Sequence, residues 1–170
     1  QRKFVTTFHG TYNFSGRLKL FYNSVMLRSQ LIIAGSNFVF NHINENYQKY
    51  LNSKKKLMVI FRGINLEYFN SKTISEKKIN ALILNWKIDR NNFIILLPGR
   101  LTKWKGQEMF IEALNLLIDN HNKNNFHAII LGSDQGRNVY SKKLSLLTER
   151  FRLGKKLTFI ENCKEMPVAY

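Results

Sequence analysis

Two cations in one short stretch carry the clearest chemistry in this sequence. The stretch is LLPGRLTKWKGQE, residues 96–108, with Arg100 after Gly99 and Lys105 before Gly106. An apolar, strand-like run closes at Pro98-Gly99, a basic loop follows, and a helical pattern begins near Gly106. A helix N-terminus presents unpaired N–H groups and partial positive charge to an anion. Arg100 and Lys105 would add two full charges beside it, the first as a bidentate fork and the second as a point charge. That combination suits a diphosphate. The same residues would equally make a solvated basic loop between strand and helix.

Two further turns hold reactive or phosphate-compatible residue types. In TFHGTY, residues 7–12, His9 follows a strand-like run and is held by Gly10. There it is a candidate general base or phosphate donor; its alternative is a histidine satisfied by a carbonyl in a turn. In LGSDQGR, residues 131–137, Gly132 and Gly136 bracket Ser133 and Asp134 ahead of a helix. This resembles a loose phosphate loop without the spacing of a dinucleotide or P-loop fingerprint. An ordinary strand-to-helix turn with an N-cap would look the same.

These turns need a scaffold, and the hydrophobic pattern supplies one. Strand signals cover Lys3–Phe8, Leu31–Ala34, Leu57–Phe61, Phe93–Leu97, Phe126–Leu131 and Lys156–Ile160. Helical spacing predicts Arg17–Leu27, with Leu18, Phe21, Tyr22 and Val25 on one stripe. It predicts a second helix capped by Ser36, with Val39, Ile43, Tyr47 and Tyr50 on one face. A third starts at Ser75-Glu76 and buries Ile79, Leu82, Ile83 and Trp86. Gln107–Asn120 and Arg137–Arg152 follow, with Phe110, Leu114 and Leu117, then Tyr140, Leu144, Leu147 and Phe151, inward. The aromatics Phe21, Tyr22, Tyr47, Phe110 and Phe151 are expected on buried stripes. Short apolar strands alternating with helices mean parallel βαβ units with both sheet faces covered. In such sheets ligands meet the carboxyl ends of the strands. Those ends are followed here by His9-Gly10, Gly35-Ser36, Arg62-Gly63, Gly99-Arg100, Gly132-Ser133 and Asn162. Residues 64–74, after the breaker Gly63, are the best candidate linker.

Composition limits the possibilities. The 170 residues are 44% hydrophobic and 22% charged, which is globular and not disordered. Lys and Arg total 27 against 11 Asp and Glu, a formal net charge of +16. No run approaches the roughly 18 apolar residues of a membrane span. The one cysteine, Cys163, excludes an internal disulfide and a cysteine-cluster metal site. Lysines cluster at Lys54–Lys56, Lys77-Lys78, Lys142-Lys143 and Lys155-Lys156. They would suit anionic lipid or nucleic acid. Their scatter, without interleaved aromatics, does not read RNA; solvated helix faces and loops are the commoner cause. The sequence opens on Gln1 in a strand-like run and stops at CKEMPVAY, so both ends read as cut.

Taken in order, TFHGTY, AGSNF (34–38), VIFRGINLEYF (59–69), LLPGRLTKWKGQEMFIEAL (96–114) and LGSDQGR resemble glycosyltransferase family 4. The likeness runs over essentially the whole chain and is nearest to the bacterial branch that builds lipopolysaccharide or capsule sugars. It implies the two-domain GT-B fold, with parallel Rossmann-like βαβ units in each domain. Residues 1–66 would be the last part of the acceptor domain, and 67–170 the linker and first half of the donor domain. The implied activity is retaining transfer of a sugar from a nucleotide-diphosphate sugar to a glycan or lipid acceptor, with no metal or other cofactor. By the same likeness Gly99, Arg100, Lys105 and Gly106 hold the donor diphosphate. His9 lies at the cleft beside the transferred sugar. Gly132, Ser133 and the loop Glu161–Cys163, with Asn162 and Cys163, line the nucleotide side. The family's glycine-rich loop near the start of the acceptor domain is absent, and its glutamate pair would fall after Tyr170. The expectation is therefore a piece of a longer cytoplasmic enzyme, inactive alone, that meets anionic lipid at the inner face of the cytoplasmic membrane and no specific nucleic acid. A non-catalytic basic α/β module binding a nucleotide or polyanion is the competing reading.

Overall fold

The computed structural model describes residues 4–12, 16–51, 56–121 and 125–170. The chain divides into two compact units, residues 1–65 and 66–170. Each is a three-stranded parallel α/β layer of Rossmann type, as the alternation of strand and helix patterns requires.

In the first unit the sheet order is β1-β2-β3. The strands are β1 (Val5–Phe8), β2 (Leu31–Ala34) and β3 (Lys56–Val59). Their last residues, Phe8, Ala34 and Val59, are in register, so the three carboxyl ends lie level. Lys3, expected in β1, and Lys54 and Lys55 of the first lysine cluster lie outside the described residues. Helix α2 (Asn37–Tyr47) starts where Ser36 Oγ accepts the Val39 N–H at 3.2 Å. It presses Val39, Ile43 and Tyr47 onto Phe8, Ile32 and Ala34, which form the unit's buried core with Leu27.

Helix α1 corrects the sequence reading. It spans Arg17–Ser24 and tightens into a 3₁₀ turn over Val25–Arg28. Leu18, Phe21, Tyr22 and Val25, the expected stripe, are exposed, Tyr22 to 78%. The inward positions are Leu20, Ser24 and Leu27. The period was right and the phase was wrong. Ser24 is buried because its hydroxyl folds back onto the Phe21 carbonyl, at 2.6 Å, and needs no water.

In the second unit the order is β4-β5-β6. The strands are β4 (Phe93–Pro98), β5 (Phe126–Leu131) and β6 (Leu157–Ile160). Every residue of the central β5 is buried. Among the described residues β4 pairs only with β5, and Phe93 and Ile94 are exposed where a covered strand was expected. Helices α3 (Glu76–Asn85), α4 (Gln107–His121), α5 (Val139–Arg150) and the short α6 (Met166–Ala169) complete the unit. Ile111, Leu114 and Leu144 pack on Ala128 and Ile130, with Phe110, Leu117, Tyr140, Leu147 and Phe151 around them. Helix α5 begins two residues later than the pattern suggests. Asn138 adopts a left-handed conformation, φ 47°, and belongs to the loop. Among the described residues no helix is long and apolar enough to cross a membrane.

Candidate anion-binding site

Two strand-to-helix loops meet at the carboxyl end of the second sheet. The Gly99 N–H donates to the Leu131 carbonyl at 2.8 Å, and the Leu101 N–H to the Ser133 carbonyl at 3.0 Å. The contact has no room for a side chain: a Cβ on Gly132, at φ 149°, would lie 2.2 Å from the Gly99 oxygen. Leu101 is buried in the core and anchors the first loop from below. Gly106 turns left-handed, φ 76°, and its carbonyl accepts the Phe110 N–H at 2.9 Å, which opens α4. The Lys103–Lys105 segment between these anchors is a 3₁₀ turn, where a continuous basic loop was expected.

The loop therefore holds its charges outward on a fixed base. Arg100 and Lys105 are exposed, and among the described residues neither has an ion pair. Both flank Trp104: the Arg100 Cζ lies 5.9 Å from the indole centroid and the Lys105 Nζ 5.5 Å. The Lys105 stem passes Gly99, whose Cβ would meet its Cδ at 3.7 Å. Trp104 itself is 74% exposed, so the core does not explain it. Gln107, with no exposed surface, donates from Nε2 to the Arg100 carbonyl at 2.9 Å and ties α4 to that loop. Its Oε1 and the Thr102 hydroxyl are buried without a protein partner. Two cations without an ion pair among the described residues, at a strand end and ahead of a fifteen-residue helix, make this loop the candidate anion site.

The second loop is differently satisfied. Asp134 accepts the Gly136 N–H at 3.0 Å and the Ser141 hydroxyl at 2.5 Å. The Ser141 bond foremost, helped by the amides of Gly136, Asn138 and Arg137, holds its carboxyl below the usual range. The carboxylate thus takes up loop amides just ahead of α5. Ser133 contributes its carbonyl to the Leu101 bond, and Gly132 the close approach.

Asn162 and Cys163 follow β6. They line a depression of about 470 Å³ with Lys78, Leu82, Trp86 and Glu165, which does not include Arg100 or Lys105. An apolar depression of about 370 Å³ between α3 and the β4 face excludes them too. Among the described residues no group of three His, Cys, Asp or Glu side chains gathers as for a metal. His9 stands at the end of β1 in the first unit, where Arg62 Nη2 lies 2.5 Å from its Nδ1. The lysine clusters behave as solvated faces where described: Lys78 pairs with Glu165, Lys143 with Glu108, and Lys156 lies over Phe126.

Sequence reasoning singled out neither Trp104 nor Gln107. Both left a signal. Trp104 is a large aromatic between two lysines, off any apolar stripe, and Gln107 is the polar residue on the inward face of α4.

Residues 78–170 match the family model described as "Glycosyl transferases group 1". The chain belongs to this family. A search of curated proteins finds no match. Among solved structures, the chain is similar to a glycosyltransferase from Rickettsia africae ESF-5. The identity is 32% and the TM-score 0.82, over 99% of this chain and 42% of that one. It is also similar in fold to Anabaena Alr3699/HepE, solved with UDP and glucose, at 21% identity and TM-score 0.79, over 99% of this chain and 44% of that one. A UDP-forming α,α-trehalose-phosphate synthase from Burkholderia xenovorans shares the fold at 12% identity and TM-score 0.72, over 99% of this chain and 45% of that one. The chain thus spans less than half the length of these structures.

Proposed function

We propose that this family member takes part in retaining, family-4 sugar transfer from a nucleotide-diphosphate sugar, in cell-surface polysaccharide or lipopolysaccharide synthesis. Residues 1–66 serve the acceptor side, a glycan or lipid, and residues 67–170 serve the donor. One observation carries the reading. Arg100 and Lys105 stand exposed, and without ion pairs among the described residues, on a hydrogen-bonded loop at the carboxyl end of β4, directly before α4. A diphosphate brings negative charge that both cations and the helix start would share. Gly99 and Gly106 let the backbone approach it, and the loops at Gly132-Ser133 and Asn162-Cys163 face the nucleotide. His9 contacts the transferred sugar. The chemistry asks for no metal, because the leaving diphosphate is neutralised by side chains and amides. The UDP-glucose complex of the HepE relative agrees in kind with such a donor.

The reaction takes place on the cytoplasmic side, with contact to anionic lipid at the inner membrane face. Support comes from α1, where Leu18, Phe21, Tyr22 and Val25 stand exposed beside Arg17, Lys19 and Arg28. Sedimentation with anionic and neutral vesicles tests this part, and equal binding to both would reject it.

Replacing Arg100 by Ala tests the donor site. Charge-assisted hydrogen bonds contribute about 1.5–3 kcal/mol each, so UDP affinity should fall roughly 10- to 100-fold. Calorimetry on the full gene product, with the fold checked by circular dichroism, reads this directly. Unchanged affinity defeats the assignment. Tight UDP binding without release of nucleoside diphosphate from any nucleotide sugar would favour a non-catalytic binding module.

A further inference from the structure

The three strand ends of the first unit are level, and one side chain joins them. Arg62 lies just beyond β3, at one edge of the sheet. Its guanidinium crosses the end of β2, where a Cβ on Gly35 would sit 3.8 Å from Arg62 Nε. It ends on His9, beyond β1 at the other edge, with Nη2 2.5 Å from Nδ1. Two strand spacings, about 10 Å, separate those edges.

The chemistry of that contact fixes the imidazole. A guanidinium has five N–H donors, no acceptor, and keeps its protons. The ring nitrogen facing it must therefore accept. Nδ1 carries no proton, and in the neutral ring the proton belongs to Nε2. We propose that Arg62 is a positioning residue that holds His9 as its Nε2–H tautomer, so that His9 offers a hydrogen-bond donor, and not a base, to an oxygen-rich ligand at this strand end. The ligand half of the statement rests on the reading of His9 as a sugar contact. The tautomer half does not. The acceptor is a hydroxyl or phosphate oxygen. A general-base role through Nδ1 is closed while the guanidinium is in place.

The test is multiple-bond ¹H–¹⁵N NMR on the ¹⁵N-histidine-labelled chain, without ligand, at a pH where the ring is neutral. A His9→Gln variant assigns the signals. The expected wild-type pattern is a protonated Nε2 and a bare, hydrogen-bonded Nδ1, with the other tautomer below detection. Arg62→Met keeps the length and loses every donor, and the minor tautomer should appear. Arg62→Lys keeps a donor and should suppress it again. A mixed ring in the wild-type chain overturns the proposal even if Arg62→Met does not fold, and so does an identical pattern in wild type and Arg62→Met. Adding pyrophosphate separates a further alternative: if it releases the guanidinium, so that the His9 tautomers mix, Arg62 is an anion ligand and the proposal falls. A chain that binds no nucleotide sugar would defeat the proposed function and leave the ligand-free measurement standing.

Discussion

Loops 99–106 and 132–138 occupy equivalent places at the end of the same sheet, and they do opposite things with charge. Each follows an apolar strand and opens a helix, and each carries two glycines. The first exposes Arg100 and Lys105 with no acidic partner among the described residues. The second folds Asp134 back onto the Gly136 amide and the Ser141 hydroxyl. A carboxylate inside the loop consumes the donors that an anion would need. Glycine spacing alone therefore does not leave a loop open to an anion; the charge of the side chain between the glycines matters as well.

The comparison breaks most sharply at the point where the loops touch. Gly132→Ala should have the largest effect, because its Cβ would lie 2.2 Å from the Gly99 oxygen and neither backbone can yield cheaply. With the strained φ added, the cost should be roughly 3 kcal/mol or more. Thermal unfolding should fall by more than about 10 °C. Gly10→Ala, with no neighbour within 4 Å, is the control and should change little. A Gly132→Ala chain as stable as wild type would mean that the loops are not held together as described.

Trp104 sharpens the first loop. Its ring stands near both cations and is mostly exposed, so Trp104→Ala should leave the fold intact while the two charges lose their common platform. Exposed cation–π contacts contribute about 0.5–1 kcal/mol each. Pyrophosphate affinity should therefore fall roughly 3- to 10-fold, and Trp104→Phe should recover much of it. Fluorescence offers an independent readout, since the other tryptophan, Trp86, is buried on the α3 side. An emission change on pyrophosphate addition that survives in Trp104→Phe would place the anion elsewhere.

How much of this was legible beforehand follows from which forces act locally. The βαβ alternation was readable because β5 and the inward faces of α2, α4 and α5 are set by apolar periodicity. Ser36 was readable because a cap is a local hydrogen bond. The exposed place of Arg100 at the end of β4 was readable because a cation after a strand-ending Pro-Gly has few places to go. The phase of α1 was not, because it depends on Ser24 satisfying its hydroxyl on its own helix. The exposure of Phe93 was not, because strand pairing is a long-range matter that the local apolar run does not encode. Gln107 and Arg62 act through partners that sequence spacing does not reveal: Gln107 reaches a backbone carbonyl, and Arg62 reaches across two strands.

The smallest expected effect tests the second loop. The Asp134 carboxyl is held below its ordinary value, mainly by the Ser141 hydroxyl and secondarily by loop amides, against an opposing push from burial. A depressed carboxylate stabilises the fold fully above the ordinary pKa of about 3.9, and that stabilisation is lost as pH falls through the lower, folded value. Asp134→Asn keeps an oxygen for the Gly136 N–H and removes the titration. Between about pH 5 and pH 3 the wild-type melting temperature should therefore fall more than that of the variant, and the two curves should converge at the acid end. The gap should be small and should shrink in high salt, because the group is open to solvent. At neutral pH the variant should bind pyrophosphate within about twofold of wild type, since the proposed anion site is on the other loop. A tenfold gain in affinity would mean that the carboxylate had been occupying a second anion site. The two loops would then differ by one removable charge and not by architecture.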